Sequence, residues 1–508
     1  MDQQNVNLTG VSGPKRAPSS EMTSSSDTRD RVNEAVFPES FSPRVSPDPA
    51  PSGALAPDDA AFNHELAHQD VLVKKKYRSK FLKRPILASL QKLMIAYLVV
   101  WSISPPLAID MIYRYIALAC AGGWLVIEMS HRRKFERIHG FAIAFMLAVI
   151  AIAYAETNGS INGVMQYISH YMLVIGFLMN YSYRDRWDEF KLLVPLVLVL
   201  WIFFNIITTK ELIIDPTLAR KIVRADEAVY PYMRRGVGGD ALLYSQVLVF
   251  PIMLAWIIST LKRSFSLFLI GFVWLGSFLT FLFHAGYSIA ITSVISSTII
   301  FFTYKRKSVL PAFFITLSFI VLIVVLIGYV DSVREWLIDI FKGTKVASKV
   351  RDIYDSIHGA DVADSIQSRI DRYFASIETI ITYPFIGGLW WAGGGGHSAI
   401  LDTFAKYGVW GGWVFCKMLF CVAINLKQNT KKPRDNRMSN ALLSSLALVM
   451  LLDSLPFDMV FPIIIVSPIL IHQIQKWDDY EELEPVKKLR TKFQKRPEKN
   501  RKTAQGRA

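Results

Sequence analysis

The most unusual stretch of the sequence is a run of four glycines followed by a histidine, at 393–397. Glycine lets a backbone approach a ligand more closely than a side chain would allow, and an imidazole exchanges a proton near neutral pH. The stretch predicts a binding turn in which His397 is a candidate base, although a histidine at the end of an apolar segment is also compatible with a structural role. Asp402 is expected to pair with Lys406, four residues further along the same helix. The predicted binding residues of this turn are Gly394, Gly395, Gly396 and Asp402.

Two pairs of arginines are the second candidate for chemistry. Arg234 and Arg235 lie in YPYMRRGVGGD, and Arg369 and Arg372 lie in SIQSRIDRYFASIETII. A guanidinium group presents a planar fork that holds phosphate oxygens, so these residues suit a pyrophosphate group at a membrane surface. Arginines near span ends also snorkel toward the interface, which is the alternative interpretation of each. His284, in FHAGYS, either joins the same site or marks the membrane interface.

No motif indicates a nucleotide or a metal ion. The sequence has no P-loop, no HExxH pair, no Cys/His metal spacing and no G-x-S-x-G element. The three cysteines lie in apolar segments, where a free cysteine behaves as a small hydrophobe. We therefore predict neither a metal site nor a cofactor.

The elements that must position these residues are membrane spans. Of 508 residues, 52% are apolar and 19% are charged, and the mean hydropathy is +0.30. This composition excludes a secreted enzyme, a nucleic-acid-binding domain and a disulfide scaffold, because soluble proteins have about 25% charged residues. Crossing a bilayer takes roughly 17 to 25 apolar residues. The sequence predicts an all-α polytopic membrane protein of twelve spans, near 86–103, 107–129, 141–155, 163–181, 192–208, 241–260, 265–283, 286–304, 308–330, 404–426, 440–454 and 457–474.

The basic residues of the short loops predict the orientation of the chain. Alternate short loops carry 17 Lys and Arg residues, whereas the short loops between them carry none. Basic loops stay on the cytoplasmic side, so both termini are expected in the cytoplasm. The long connections 209–240 and 331–398 then lie on the outer side of the membrane, which is where the candidate chemistry falls.

By composition the chain divides into three parts. Residues 1–84 form a polar tail, expected to be disordered, that ends in KKKYRSKFLKR with seven basic residues. Residues 85–474 form the membrane domain, and residues 475–508 form a basic tail whose last part, 487–508, holds ten basic residues and one acidic residue. Basic runs beside a span favour anionic lipid headgroups over nucleic acid as partners.

Apolar residues recur at helical spacing in 365–381. We expect a helix that lies on the membrane or on the span bundle and ends before Pro384. The apolar residues that share one face are Ile366, Ile370, Tyr373, Phe374 and Ile377.

GGGGHSAILDTFAKYGVWGG, with Arg369 and Tyr373 upstream and a Pro384-x-x-Gly387-Gly388 turn between them, resembles the O-antigen ligase and polysaccharide polymerase superfamily. The segment RRGVGGDALLYSQVLVF is similar to the family's Arg-Gly element at the start of a middle span. The detailed match covers residues 365–412.

The resemblance implies a multi-pass glycosyltransferase of the bacterial inner membrane that acts at the periplasmic face in lipopolysaccharide or exopolysaccharide biosynthesis. Such an enzyme moves a glycan from an undecaprenyl-pyrophosphate carrier to an acceptor sugar hydroxyl without a cofactor. The implied partners are the lipid-linked oligosaccharide, the acceptor glycan and a chain-length regulator. The implied catalytic residues are His397, Arg369 and Arg235, and the substrate-binding residues include Arg234, Arg372 and His284.

The chain departs from the ligase pattern at two positions, and the second departure favours a polymerase of repeat units. Many ligases have Ser-Arg-Gly where this chain reads FHAGY at 283–287, and they tend to have His-Asn where it has His397 and Ser398. An O-antigen ligase acting on lipid A-core is the alternative within the family. A polysaccharide flippase is the alternative from another class, but a transporter concentrates its polar groups near the membrane midplane.

Overall fold

The computed structural model describes residues 85–131, 137–157, 160, 167–184, 186–223, 227–261, 263–306, 308–358, 364–388, 395–428, 432–453 and 460–478. The predicted tail 1–84, most of the tail 475–508, Gly393 and Gly394 lie outside these residues. All regular structure in the described residues is helical. The chain is therefore an all-α protein, as its composition predicts.

The described helices are α1 (Pro85–Ile103), α2 (Pro105–Ile109), α3 (Met111–His131), α4 (Arg137–Glu156), α5 (Ile168–Ser182), α6 (Leu193–Ile214), α7 (Leu218–Val223), α8 (Tyr230–Arg234), α9 (Asp240–Leu261), α10 (Phe265–Ala285), α11 (Ser288–Thr303), α12 (Leu310–Tyr329), α13 (Asp331–Ile340), α14 (Lys345–Ile357), α15 (Asp364–Thr382), α16 (Ala399–Gln428), α17 (Pro433–Leu452) and α18 (Val460–Asp478). Short 3-10 turns occur at Trp187–Phe190 and Glu227–Val229.

Helices overlie all twelve predicted spans, and nine of those within the described residues are long and apolar enough to cross a membrane. The other three are α5 and α11, which have 15 and 16 residues, and α17, whose first half is polar. The chain is a multi-pass membrane protein, and the full count of twelve spans stays a prediction. The span predicted to end at 208 continues as α6 to Ile214, so the connection after it is shorter than expected.

The interior of the bundle contains polar side chains that bond to one another. Asn205 of α6 and Gln246 of α9 exchange two hydrogen bonds of 2.9 and 2.8 Å, and the Trp274 indole of α10 donates to Gln246 at 2.9 Å. Without water to compete, such bonds fix which helix faces meet. Helices α11 and α17 pack closely, and the buried face of each is rich in serine, which permits close approach. These buried serines are Ser293, Ser296, Ser297, Ser439, Ser444 and Ser445.

Helix α16 is broken at Gly408, which has φ 67° and ψ −175°. The turn that follows α15 is docked in the break: the Gly388 amide donates to the Ala405 carbonyl, and the Val409 amide donates to the Pro384 carbonyl, both at 2.7 Å. A Cβ atom on Gly408 would lie 2.2 Å from the Phe385 carbonyl oxygen, so only glycine fits. An interrupted span must have its freed backbone groups satisfied by protein, and this turn supplies the partners.

Three amphipathic helices, α13, α14 and α15, form the long connection between α12 and α16. Helix α14 packs its Val346 and Val350 against Ile327 of α12. The predicted amphipathic helix is confirmed as α15, and it ends at Thr382, before Pro384. Its apolar stripe is exposed, at Ile370, Phe374, Ile377 and Ile381.

Candidate functional site

The start of α16 is tied to the end of α17. Ser398 caps α16, because its hydroxyl oxygen accepts the Leu401 amide at 3.2 Å, and the same hydroxyl donates to the Met450 carbonyl at 3.3 Å. The Ala399 amide donates to the Asp453 carbonyl at 3.1 Å. The first turn of a helix has amides without intrahelical partners, and here a side chain and a neighbouring helix end supply them.

The Asp402 carboxylate closes the turn that carries the histidine. One oxygen accepts the Ser376 hydroxyl at 2.6 Å and the Gly396 amide at 3.1 Å, and the other accepts the Ser398 amide at 3.0 Å. The Gly395 amide donates to the Ser376 hydroxyl oxygen at 2.7 Å. Asp402 therefore has its partners in this turn, and the predicted pairing of Asp402 with Lys406 is wrong.

Gly395 and Gly396 are placed by the backbone of the turn. A Cβ atom on Gly395 would lie 1.8 Å from the Arg372 carbonyl oxygen, so the turn touches α15 at a point where only glycine fits. Gly396 has φ +73°, a conformation that favours glycine. Gly395 thus serves the close packing of the turn on α15, and Gly396 serves the backbone conformation of the turn. Gly394 lies outside the described residues.

His397 is half-buried at the top of this turn, outside the membrane-spanning part of α16. Its Nδ1 atom is buried and has no hydrogen-bond partner among the described residues. Burial lowers the pKa of His397 below its usual value of 6.5, the positive charges of Arg372 and Arg369 lower it further, and the two nearby carboxylates, Asp453 and Asp402, partly oppose them. The imidazole is therefore neutral at pH 7, which is the form that accepts a proton.

Arg369 and Arg372 reach the site from α15. The Tyr373 hydroxyl of α15 donates to the Leu452 carbonyl at 2.7 Å. This bond and the bond from Ser376 hold one face of α15 against α16 and α17, while both guanidinium groups stay exposed to solvent. The structure thus brings Arg369, Arg372 and His397 together around one turn. We call Arg369, Arg372, His397 and Asp402 the His397 site.

The other predicted arginines have different surroundings. Arg234 forms an ion pair with Asp110 at 3.2 Å, and Arg235 lies over the Tyr232 ring at 5.1 Å. Asp110 and Arg114 have the i,i+4 spacing of a helical ion pair, but the Arg114 side chain donates instead to a backbone carbonyl of α2. No contact in the described part of the chain joins Arg234 or Arg235 to the His397 site, so the catalytic role of Arg235 stays a prediction.

His284 lies in the last turn of α10. Its Nδ1 atom is 2.8 Å from the Thr280 carbonyl, so that nitrogen carries the proton and donates to it. The neighbouring Gly286 packs against Lys345 of α14. Nothing within the described ranges links His284 to His397, and its binding role likewise stays a prediction.

Sequence reasoning missed Asp453, which follows the end of α17. Its carboxylate accepts the Tyr244 hydroxyl of α9 at 2.6 Å, and its carbonyl accepts the first amide of α16. An acidic residue between two apolar segments was the available signal. Since Asp453 was expected inside a predicted span, its contacts could not be anticipated. Across the described residues, no cluster of three or more His, Cys, Asp or Glu side chains could hold a metal ion.

The likeness to known proteins rests on the motif residues alone. No family model matches the chain, and a search of curated proteins found no match. The resemblance to the O-antigen ligase and polymerase superfamily therefore remains an expectation carried by residues 365–412.

Proposed function

We propose that the chain is a polymerase of lipid-linked oligosaccharide repeat units. The observation that carries the proposal is the His397 site: a half-buried, neutral imidazole beside two exposed guanidinium groups, on a turn fixed to the ends of two helices. Such a site offers a base for a hydroxyl group and cations for a diphosphate within the same few residues.

In the proposed reaction, the acceptor sugar hydroxyl attacks the anomeric carbon of the donor glycan. The new bond joins that carbon to the acceptor oxygen, and the bond from the carbon to the pyrophosphate of the carrier lipid breaks. His397 takes the proton from the attacking hydroxyl. Arg369 and Arg372 stabilise the negative charge that develops on the departing lipid pyrophosphate.

The polymerase would work at the periplasmic face of the bacterial inner membrane, with both termini in the cytoplasm. The basic short loops support this orientation, because the His397 site lies at the end of α16 opposite the basic loop 427–437. A carrier lipid in the outer leaflet would then present its pyrophosphate at the level of the site. Basic tails at the inner face suit anionic headgroups.

The test is a gel of surface and carrier-linked glycans from a strain lacking the chain. The strain is complemented with wild type, with Arg369→Ala, with His397→Ala, or with Arg351→Ala as a control on the exposed face of α14. A ladder reduced to one repeat unit, and restored by wild type and the control only, is the expected result.

Other outcomes of the same gel point to the alternatives. Full-length polymer retained on the carrier lipid would make the protein an O-antigen ligase acting on lipid A-core. Repeat units that accumulate facing the cytoplasm would make it a flippase. A normal ladder in the deletion strain would overturn all three.

A further inference from the structure

A second group of polar side chains lies around the first half of α16, one helical turn beyond Asp402. Lys406 forms an ion pair with Glu156 at the end of α4, with the two atoms 2.9 Å apart. The same ammonium group donates to the Tyr167 hydroxyl oxygen at 2.7 Å and lies over the Tyr167 ring. We call this group the Lys406 cluster; its residues are Glu156, Tyr167, His170, Tyr171, Lys406 and Tyr407.

Two buried hydroxyl groups in the cluster have no partner. Tyr171 is 6% exposed and Tyr407 is 5% exposed, yet neither phenolic oxygen has a hydrogen-bond partner among the described residues. Most buried polar atoms in native proteins do have one, and leaving one unsatisfied costs about 1–3 kcal/mol. Each hydroxyl therefore indicates a partner that none of the described residues provides.

The two hydroxyls and the ion pair belong to the same small region. Tyr171 directly follows His170, whose ring contacts the Tyr407 ring, and Tyr407 directly follows Lys406 of the ion pair. The His170 ring lies between the aromatic rings of Tyr167 and Tyr407, with centroids 5.3 and 6.4 Å away. Where neighbouring polar groups do not bond to one another, an additional hydroxyl group between them would complete their hydrogen bonds.

The charges and polar groups of the Lys406 cluster indicate what kind of molecule would complete these hydrogen bonds. Lys406 and Glu156 neutralise each other, so the cluster has no net attraction for the pyrophosphate that suits the His397 site. It offers hydroxyl donors, a carboxylate acceptor, an ammonium donor and aromatic faces, which together suit a neutral molecule that carries many hydroxyl groups. The pair remains partly accessible, with side-chain exposures of 26% and 27% for Lys406 and Glu156.

The break at Gly408 gives the cluster its position. Lys406 and Tyr407 are the last residues before the break, and the docked turn bonds to the Ala405 carbonyl beside them. In membrane proteins, the backbone at an interrupted helix is buried in protein or lines a cavity, and here the docked turn covers it. From Ser398 to Lys406 the helix rises about 12 Å, roughly the length of two or three sugar rings, at the usual 1.5 Å per residue.

We infer that the Lys406 cluster is a subsite for a neutral sugar of the glycan whose reacting end lies at the His397 site. This inference rests on the proposed function, since it assigns part of the same substrate. Tyr171 and Tyr407 bind the sugar hydroxyls, and the Lys406–Glu156 pair positions them. The sugar belongs either to the donor or to the acceptor, which share this chemistry.

The test uses carrier-linked repeat units extracted from the deletion strain as substrate and the full chain reconstituted in nanodiscs. The variant is Tyr171→Phe/Tyr407→Phe, which removes two hydroxyls and no other atoms. The matched control is Tyr154→Phe, since Tyr154 lies on α4 and is 64% exposed. Two lost hydrogen bonds should raise KM about tenfold or more and leave kcat within about twofold. The melting temperature should not fall, because the removed hydroxyls bond to no residue in the described part of the chain.

A second arm uses the same repeat-unit glycan released from its carrier by mild acid. It lacks the pyrophosphate, so it should inhibit wild type and the control but lose about tenfold in potency against the double variant. Elongation of this free glycan by wild type assigns the cluster to the acceptor sugar, and inhibition without elongation assigns it to the donor sugar.

Either of two results would overturn the subsite. Unchanged KM and unchanged inhibition in the double variant would mean that no sugar binds the Tyr171 and Tyr407 hydroxyls. A lower melting temperature with unchanged KM would mean that the hydroxyls are structural. If wild type makes no polymer from these lipids, the proposed function is wrong and so is the subsite. If wild type turns over normally, the double variant tests the subsite separately from the proposed function.

Discussion

Two polar regions flank the first half of α16, and they differ in charge. The His397 site carries two exposed guanidinium groups and an imidazole whose Nδ1 is buried, with its carboxylate, Asp402, engaged in hydrogen bonds to the turn. In the Lys406 cluster the single cation is paired directly with Glu156. One region therefore attracts an anion and can accept a proton, while the other is neutral and can only bind. Under the proposed function, this difference separates two tasks: chemistry at the helix end, and recognition one to two turns deeper.

The largest effect should come from His397. His397→Ala removes the proposed base, so kcat should fall about 10²- to 10⁴-fold with the protein still inserted. In the Tyr171→Phe/Tyr407→Phe variant, by contrast, KM should change and kcat should not. Initial rates over a range of lipid-linked substrate concentrations separate these effects, with immunoblots of membrane fractions as the control for insertion. A fall in kcat for the Tyr171→Phe/Tyr407→Phe variant would contradict the separation of catalysis at the His397 site from binding at the Lys406 cluster.

The next largest effect should come from Gly408, whose break lies beside both regions. An alanine there is disfavoured by about 1–3 kcal/mol, because φ 67° with ψ −175° is adopted essentially only by glycine, and its Cβ would clash with the Phe385 carbonyl. We expect Gly408→Ala to displace the docked turn, lower the melting temperature and change both kcat and KM. Gly276→Ala is the matched control, since that helical glycine has open space around it. Equal melting temperatures for the two variants would show that the break is not required.

The sequence predicts the positions of helices better than it predicts the contacts between them. Apolar length predicted the helices of the spans, and the amphipathic α15 was predicted with its end before Pro384, whereas α13 and α14 were not predicted. Those features are local, because periodicity and proline act within a few residues. The gathering of Arg369 and Arg372 around His397 depends on Tyr373 reaching Leu452, a contact 79 residues away in sequence.

The failed pairing of Asp402 shows why local rules miss contacts at helix ends. The i,i+4 rule holds for a uniform helix, but Asp402 lies within the first turn of α16, close to amides that lack partners. Bonds to those amides and to Ser376 compete with Lys406, which finds Glu156 on α4 instead. The Gly408 break was missed for the same reason, since its partners come from a turn 20 residues earlier.

A smaller effect is expected from Asp402. Asp402→Asn leaves one carbonyl oxygen as acceptor and turns an NH2 group toward a backbone amide, so charge-assisted bonds worth about 1.5–3 kcal/mol each in favourable cases are weakened or lost. The turn should loosen and kcat should fall about tenfold, while the affinity for the free glycan at the Lys406 cluster stays unchanged. Asp339→Asn, an exposed position on α13, is the control. An equal loss of glycan affinity would show that the two regions are one site.

The smallest effect is a shift in pH dependence, and it tests the charge difference directly. His397 acts as a base only when neutral, so kcat/KM should rise with pH through its pKa, which burial, Arg372 and Arg369 lower below 6.5. Arg372→Gln removes a charge that disfavours the imidazolium, so its acid limb should move to higher pH. Asp402→Asn removes a charge that favours the imidazolium, so the acid limb of this variant should move to lower pH. Removing the Asp453 carboxylate should move the limb in the same direction.

The opposite signs distinguish electrostatics from a general loss of structure, which would move both variants the same way. Arg351→Gln, on the exposed face of α14, should leave the acid limb in place. Because Arg372 is exposed, added salt should reduce the shift that its replacement causes. The Tyr171→Phe/Tyr407→Phe variant should show the wild-type limb at every salt concentration, since the paired charges of the Lys406 cluster are unchanged in it. A shift in that variant would mean that the neutral region also sets the protonation of His397, and the two regions would then have to act as a single coupled site.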